Sequence, residues 1–255
     1  MGTVSKALGL LDILAQAQGP KGLTGIASAA NFDKATTRRM LLELSANGYV
    51  VQNAESREYE LGPSLQVLGK IREERFSLYR TVAPFVRALS EQTEETVHAS
   101  EYSVGMLLSI CTEYPSKPIR VNLEQGQRLP LHATASGIAF LSTSAPSFID
   151  SVLRKALPKF TSTTLIEPKK IMKAIEETSA RGYAISNQTL QDGVSSVASS
   201  ILNQARKPIG TLAIAVPSLR MTPKLISEFG ALVQKSADEV SQLLSGRRTK
   251  ISKAS

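Results

Sequence analysis

Few residues in this chain could do covalent or metal chemistry, and their spacing narrows what that chemistry would be. His98 and His132 are the only histidines and Cys111 the only cysteine among 255 residues. A structural zinc site needs four ligands, mostly Cys and His at short spacings, and neither histidine stands in such a cluster. Ser196, His132 and Asp192 could be written as a hydrolytic triad, but no nucleophile-elbow pattern surrounds the serine. The serine-rich "AFLSTSAPS" lacks the glycine spacing of a phosphate loop. Cys111 lies in an apolar run and reads as a small core side chain. No catalytic residue, no metal ligand and no cofactor is therefore expected.

The cations offer a different chemistry. In "NFDKATTRRMLLELSANGYV", Asp33 caps a helix whose first two turns project Lys34, Ala35, Thr36, Arg38 and Arg39. Side chains in that position reach base edges in a major groove about 12 Å wide. Arg57, in the polar tip between two short alternating segments, is placed to meet a phosphate. An isolated Arg-Arg pair is more often a solvated helix face. Here its surroundings favour double-stranded DNA.

The elements that must position these residues come next. Val4, Ala7, Leu8, Leu11 and Leu14 form a helical stripe over residues 3–17, interrupted by Asp12, so this segment reads as a structural helix rather than a signal peptide. Thr24 is expected to cap a second helix over 25–30. The third carries Thr37, Met40, Leu41 and Leu44 inward and ends at Gly48. Tyr49–Val51 and Tyr59–Leu61 read as a hairpin. Three short helices and a wing make residues 1–62 a winged helix-turn-helix, whose second and third helices form the reading pair.

Residues 63–80, with Leu65, Leu68 and Ile71, read as a helical linker, and Thr81–Gln92 as a helix with Val82, Phe85, Val86 and Leu89 on one face. Alternating segments follow in "ETVHASEYSVGMLLSICTEY", "PIRVNLE", "YAISNQ", "VSSVASSIL" and "GTLAIAV". Helical stretches lie near 136–142, 147–156, 169–181 and 223–244. Strands and helices mixed in this order predict an α+β domain over 81–246, built on a mainly antiparallel sheet. Residues 247–255 read as a disordered basic tail. Period two places Thr211, Ala213 and Ala215 on one strand face, and Val194, Ser196, Ala198 and Ser200 on another. Small side chains there leave room either for a closely packed helix or for a cavity.

Composition bounds the rest. A hydrophobic content of 42% with 20% charged residues describes an ordered globular chain. One cysteine excludes an internal disulfide and fits a reducing, cytoplasmic setting, and no apolar run approaches the roughly 20 residues needed to cross a bilayer. The net charge of +8 says little about DNA, because residues 1–62 hold six basic and six acidic residues. Arg247, Arg248, Lys250 and Lys253 supply half of the surplus.

Six segments in order resemble the IclR family of bacterial transcription regulators: "VSKALGLLDILA", "GYVVQNAESREYELG", "EETVHAS", "RLPLHATASGIAFL", "ARGYAISNQTLQDGV" and "SLRMTP". The resemblance spans nearly the whole chain. It implies a dimerising winged helix, a helical linker and a GAF-like effector-binding domain, in a homodimer or homotetramer that represses or activates genes of small-molecule catabolism. It also implies an effector pocket involving His132, Thr134, Gly137, Ser186, Ser196, Ala213 and Ala215, and favours the cavity over the packed helix. Members that bind small acids carry Asp, Cys and two Ser where this chain has Ser186, Ser196, Ala213 and Ala215. Their Gly-Lys reads Gly137-Ile138, their later Gly-Pro reads Val216-Pro217, and Arg38 replaces a frequent His or Tyr. Loss of the polar set implies a bulkier, aromatic effector. The competing class, a small ester or amide hydrolase fused to a winged helix, would lose turnover on mutation of His132.

Overall fold

Helix caps organise the first seventy residues. The computed structural model describes residues 2–75 and 77–245, so the basic tail expected from 247 lies outside the described residues. The chain divides into two units, Met1–Phe76 and Ser77–Ser255. In the first, α1 (Thr3–Ala15), α2 (Leu23–Ala30) and α3 (Lys34–Ala46) enclose a core of Leu10, Leu14, Ile26, Met40, Leu41, Val50 and Tyr59. The α1 stripe is rotated from expectation: Leu10 and Leu14 are buried and Ala7 and Leu11 half-buried, whereas Val4 and Leu8 face outward. A helix packed against two others buries only one stripe of its circumference, and the remaining apolar positions are left outside.

Thr24 lies inside α2 rather than capping it, since the helix starts two residues earlier than expected, at Leu23, with Gly22 as its N-cap. Asn31 closes α2 with φ 55°, and Gly48 follows α3 with φ 72°, both left-handed. β1 (Val50–Gln52) and β2 (Tyr59–Leu61) pair antiparallel, Val50 opposite Leu61. Lys21 and Tyr59 exchange backbone hydrogen bonds of 3.0 and 2.8 Å, which ties the hairpin to the α1–α2 connection.

α4 (Pro63–Arg75) and α5 (Ser77–Thr93) follow. The helix expected from Thr81 thus begins at Ser77, and Leu78 joins Val82, Val86 and Leu89 on its buried face.

The second unit is built on a six-stranded sheet in the order β5-β4-β3-β8-β7-β6, antiparallel throughout. Its strands are β3 (Thr96–Ser103), β4 (Met106–Glu113), β5 (Arg128–Leu129), β6 (Ala184–Asn187), β7 (Val194–Leu202) and β8 (Pro208–Pro217). α5 and α9 (Pro223–Leu244) cover one face through Val97, Ala99, Val197, Leu212, Ile214 and Val216. α6 (Ala135–Ser142), α7 (Pro146–Leu153) and α8 (Pro168–Arg181) cover the other, where Ala184, Ala198 and Ala213 face them. The result is the α+β architecture of helices on both sides of an antiparallel sheet.

One expected strand is absent. In "PIRVNLE" Val121 and Leu123 are buried and alternate with exposed Asn122 and Glu124, yet the segment joins no ladder. Its carbonyls are satisfied by side chains instead: Thr96 Oγ1 donates to Val121 O at 2.7 Å and the Tyr114 hydroxyl to Leu123 O at 2.6 Å.

Candidate functional site

The start of α3 is set by Asp33, whose Oδ1 accepts the Thr36 N–H at 2.7 Å while the Thr37 hydroxyl donates to Asp33 O at 2.9 Å. The Thr36 backbone N–H holds the Asp33 carboxyl below its ordinary range. Lys34, Ala35, Arg38 and Arg39 are exposed along the first turns and Thr36 is half-buried. Among the described residues, none of Lys34, Arg38, Arg39 and Arg57 is committed to an ion pair. The wing tip is equally organised. The Asn53 side-chain oxygen accepts the N–H groups of Glu55 and Ser56 at 2.8 and 3.0 Å. Arg57 takes a left-handed φ of 60°, its N–H donating to Asn53 O at 3.0 Å. An exposed guanidinium thus rises from a fixed turn.

Asp33→Ala is expected to lower the melting temperature of the winged-helix unit by a few degrees and to weaken DNA binding, whereas Asp33→Asn keeps the cap. Thermal melts of both variants check this; equal loss in the two would show that the cap is not what the carboxylate contributes.

The second site is a chamber between the α6 side of the sheet and the irregular 121–127 segment. It encloses about 50 Å³ within a recess of about 510 Å³ counted with its open mouth. Thr134, Ser186, Ser196 and Ala215 line it, as do His98 and Ser136. Strand register explains the meeting: Ser196 pairs with Ser186 on one side and Ala215 on the other, and Ala215 pairs with Thr96 of β3. Three further expected residues stand elsewhere. Ala213 is wholly buried in the core beneath α6, beside Ala198. Gly137 packs rather than lines, for a Cβ there would stand 2.2 Å from Leu131 O. His132 borders a separate open recess, and its Nε2 donates to Pro158 O at 2.9 Å, holding that loop.

Both readings of the small-residue face are thus realised at different ends of it. α6 packs closely over Ala198 and Ala213, where Ser200 donates to Ala139 O, and the chamber opens at Ser196 and Ala215. His98 joins the lining although the sequence marks it only as one of two histidines outside any metal cluster. It stands on the polar face of β3 between Thr96 and Ser100, 4% exposed, and burial pushes its imidazole down to about 4. Period-two reading of "ETVHAS" would have placed it opposite Val97 and Ala99. Among the described residues no group of three or more His, Cys, Asp or Glu could hold a metal.

A capped helix with uncommitted cations, a wing beside it and a separate sheet domain with a walled chamber define a DNA-binding regulator coupled to a ligand-binding domain. Residues 3–54 match the IclR helix-turn-helix domain and 74–242 the bacterial transcriptional regulator IclR C-terminal domain. The chain belongs to the IclR family of transcriptional regulators. The acetate operon repressor of Salmonella typhimurium is 30% identical over 249 residues, 96% of this chain and 91% of that protein. An IclR transcriptional regulator from Silicibacter sp. shares 33% identity and a TM-score of 0.85 over 98% of both chains. An IclR homologue from Microbacterium hydrocarbonoxydans, complexed with 4-hydroxybenzoate, has the same fold: TM-score 0.82, 16% identity, 96% of this chain and 100% of that one. No helix among the described residues is long and apolar enough to cross a membrane.

Proposed function

We propose that this regulator is a cytoplasmic repressor of a small-molecule catabolic or transport operon, released from a pseudo-palindromic operator by an organic effector bound in the chamber, and that it catalyses no reaction. The observation that carries the reading is the pairing, in one chain, of uncommitted cations on α3 and the wing with a separate chamber walled by neutral side chains. DNA contacts are assigned to Lys34, Ala35, Thr36, Arg38, Arg39 and Arg57, and effector contacts to Thr134, Ser186, Ser196 and Ala215. His132, Gly137 and Ala213 act behind them, holding the loop and α6. Repressor names among relatives, including the acetate operon repressor, support the sign of regulation.

A dimer or tetramer supplies the two-fold symmetry that a palindrome needs. Exposed apolar side chains on two helices of the winged unit support it: Val4 and Leu8 on α1, Val67 and Leu68 on α4. Light scattering at micromolar concentration is expected to give at least a dimer, and Leu8→Glu with Leu68→Glu to weaken it together with operator binding. A monomer with full operator affinity would contradict the assembly.

For the effector, Ala215 where small-acid binders carry a serine supports a larger organic molecule with one polar end. The 4-hydroxybenzoate bound by the Microbacterium homologue supports an aromatic one. Selecting DNA from a random pool with the full chain, then titrating the complex with aromatic compounds and with two- and three-carbon acids, tests the whole reading. Release by pyruvate or glyoxylate alone, or an asymmetric selected site, would overturn it.

A further inference from the structure

We propose that His98 is the specificity-determining group of the chamber, admitting uncharged molecules that carry a hydroxyl or carbonyl and turning carboxylates away. This rests on the chamber being the effector site and asks what that site can recognise.

The argument begins with what each polar group has left to offer. His98 belongs to β3 in the middle of the sheet, opposite Ala213 on one side and Thr112 on the other. Its neighbours on the same face are already satisfied, Thr96 by Val121 O and Ser100 by Thr211 Oγ1 at 2.6 Å. The imidazole is not. Its Nε2 stands 3.4 Å from Ser136 Oγ, the long end of a hydrogen bond, and Nδ1 has no partner. A buried ring nitrogen left unpaired is destabilising until a ligand or water answers it.

The hydroxyls narrow the choice. Thr189 donates to Ala133 O at 2.7 Å, so the 2.5 Å contact between Ser186 and Thr189 must have Ser186 as donor. Ser186 therefore presents only lone pairs to the chamber. Thr134 donates to Pro130 O and accepts the Gly137 N–H, which leaves it no proton either. Ser196 keeps a hydroxyl with no partner among the described residues. Asn122 and Gln191 bring neutral amides at the exposed rim, where water competes, and the half-buried Gln127 brings a third.

No Asp, Glu, Lys, Arg, Tyr or Cys lines the chamber, so nothing there compensates a ligand's charge. The start of α6 offers a partial positive charge alone. A carboxylate would exchange its water shell for a few neutral donors, from Ser196, Gln127 and one ring N–H, with its oxygens facing the lone pairs of Ser186 and no cation to balance its charge. The buried imidazole is neutral at physiological pH and supplies one donor and one acceptor rather than a cation. A hydroxyl suits this set: it can donate to Ser186 or the ring and accept from Ser196. A carbonyl accepts from Ser196 or from the ring N–H.

The test uses the full-length protein and matched pairs that differ in charge: 4-hydroxybenzyl alcohol with 4-hydroxybenzoate, benzyl alcohol with benzoate, hydroxyacetone with pyruvate. Titration calorimetry at pH 7.5, in two buffers of different ionisation enthalpy, gives affinity and proton uptake together. The uncharged member of at least one pair is expected to bind ten-fold or more tightly than its acid, with no proton taken up. His98→Leu should weaken binding of the uncharged member ten-fold or more, and His98→Asn should keep most of it. Tighter binding of the acids, uptake of one proton with them, or unchanged affinity for the uncharged member in His98→Leu would overturn the role of His98 while leaving the chamber as the effector site. Binding that survives narrowing of the chamber by Ala215→Leu, or no binding by any pair, would overturn the chamber reading as well.

Discussion

Lowering the pH from 6.5 to about 4 is expected to cost the effector domain about 3 kcal/mol through His98 alone. Burial lowers the folded imidazole from 6.5 to about 4, so across that window the unfolded chain holds a proton that the folded chain does not. Stability therefore rises with pH through the window. The contribution is fully present above about 6.5, shrinks as the pH falls, and stops changing below about 4. Other ionisable groups also change charge across this range, so the informative quantity is a difference between two chains that share them. Urea unfolding of the native chain and of His98→Asn at pH 7 and pH 4.5 should show the two converging, or the variant ahead, at the lower pH. Parallel loss in both would exclude His98 as the source.

The second large effect concerns the DNA face. Arg38→Ala and Arg39→Ala are each expected to weaken binding to the preferred operator by about 1–3 kcal/mol and to relax its sequence requirement, because a guanidinium bound to a base edge carries specificity. Arg57→Ala should instead weaken binding to all sequences alike and reduce the salt-dependence slope by about one, the signature of a lost phosphate contact. Fluorescence anisotropy against operator and scrambled duplexes over a salt series separates the two. Operator affinity unchanged in both helix variants would remove α3 from the groove, and a sequence-dependent loss in Arg57→Ala would move the wing from backbone to base.

Local chemistry made much of this architecture legible in advance. Asp33 and Gly48 bound α3 because a carboxylate cap and a left-handed glycine act within a few residues of themselves. The β7 segment and the long α9 were equally clear, the first as an alternating run of small residues, the second as a helical stretch over 223–244. What escaped was decided by partners distant in sequence. Val121 and Leu123 alternate like a strand, but Thr96 and Tyr114 take the carbonyls that a neighbouring strand would have used. The two-residue β5 is too short to leave a pattern and exists through its pairing with Leu107 and Leu108.

The candidate chamber was half legible for the same reason. Ser186, Ser196 and Ala215 converge through register, which resemblance supplied in advance. Ala213, two residues from Ala215 and on the same face, was expected to share the space, but α6 descends onto it. His132 drew attention because its motif is conspicuous, whereas His98 lay inside an ordinary-looking strand. Only the fold reveals that β3 is central, that its polar face looks onto the chamber and that no other side chain answers Nδ1.

β3 has one more consequence, and it is mechanical. Val97 and Ala99 press on α5, the helix that opens the second unit, while His98 between them borders the chamber on the other side. A single extended chain is thus the partition between chamber and helix at this point. The pairing with β4 shifts register between Ala99 and Ser100, next to that partition. On the proposed function, signal transmission across the sheet then needs no relay of side chains: a compound that tilts the His98 peptide would change the seat of α5 directly, as a key depressed on one side of a thin panel moves the rod resting on the other. Sensitivity would be governed by how stiff that one strand is, so trimming Val97 to alanine would blunt the response while leaving the compound's own contacts intact.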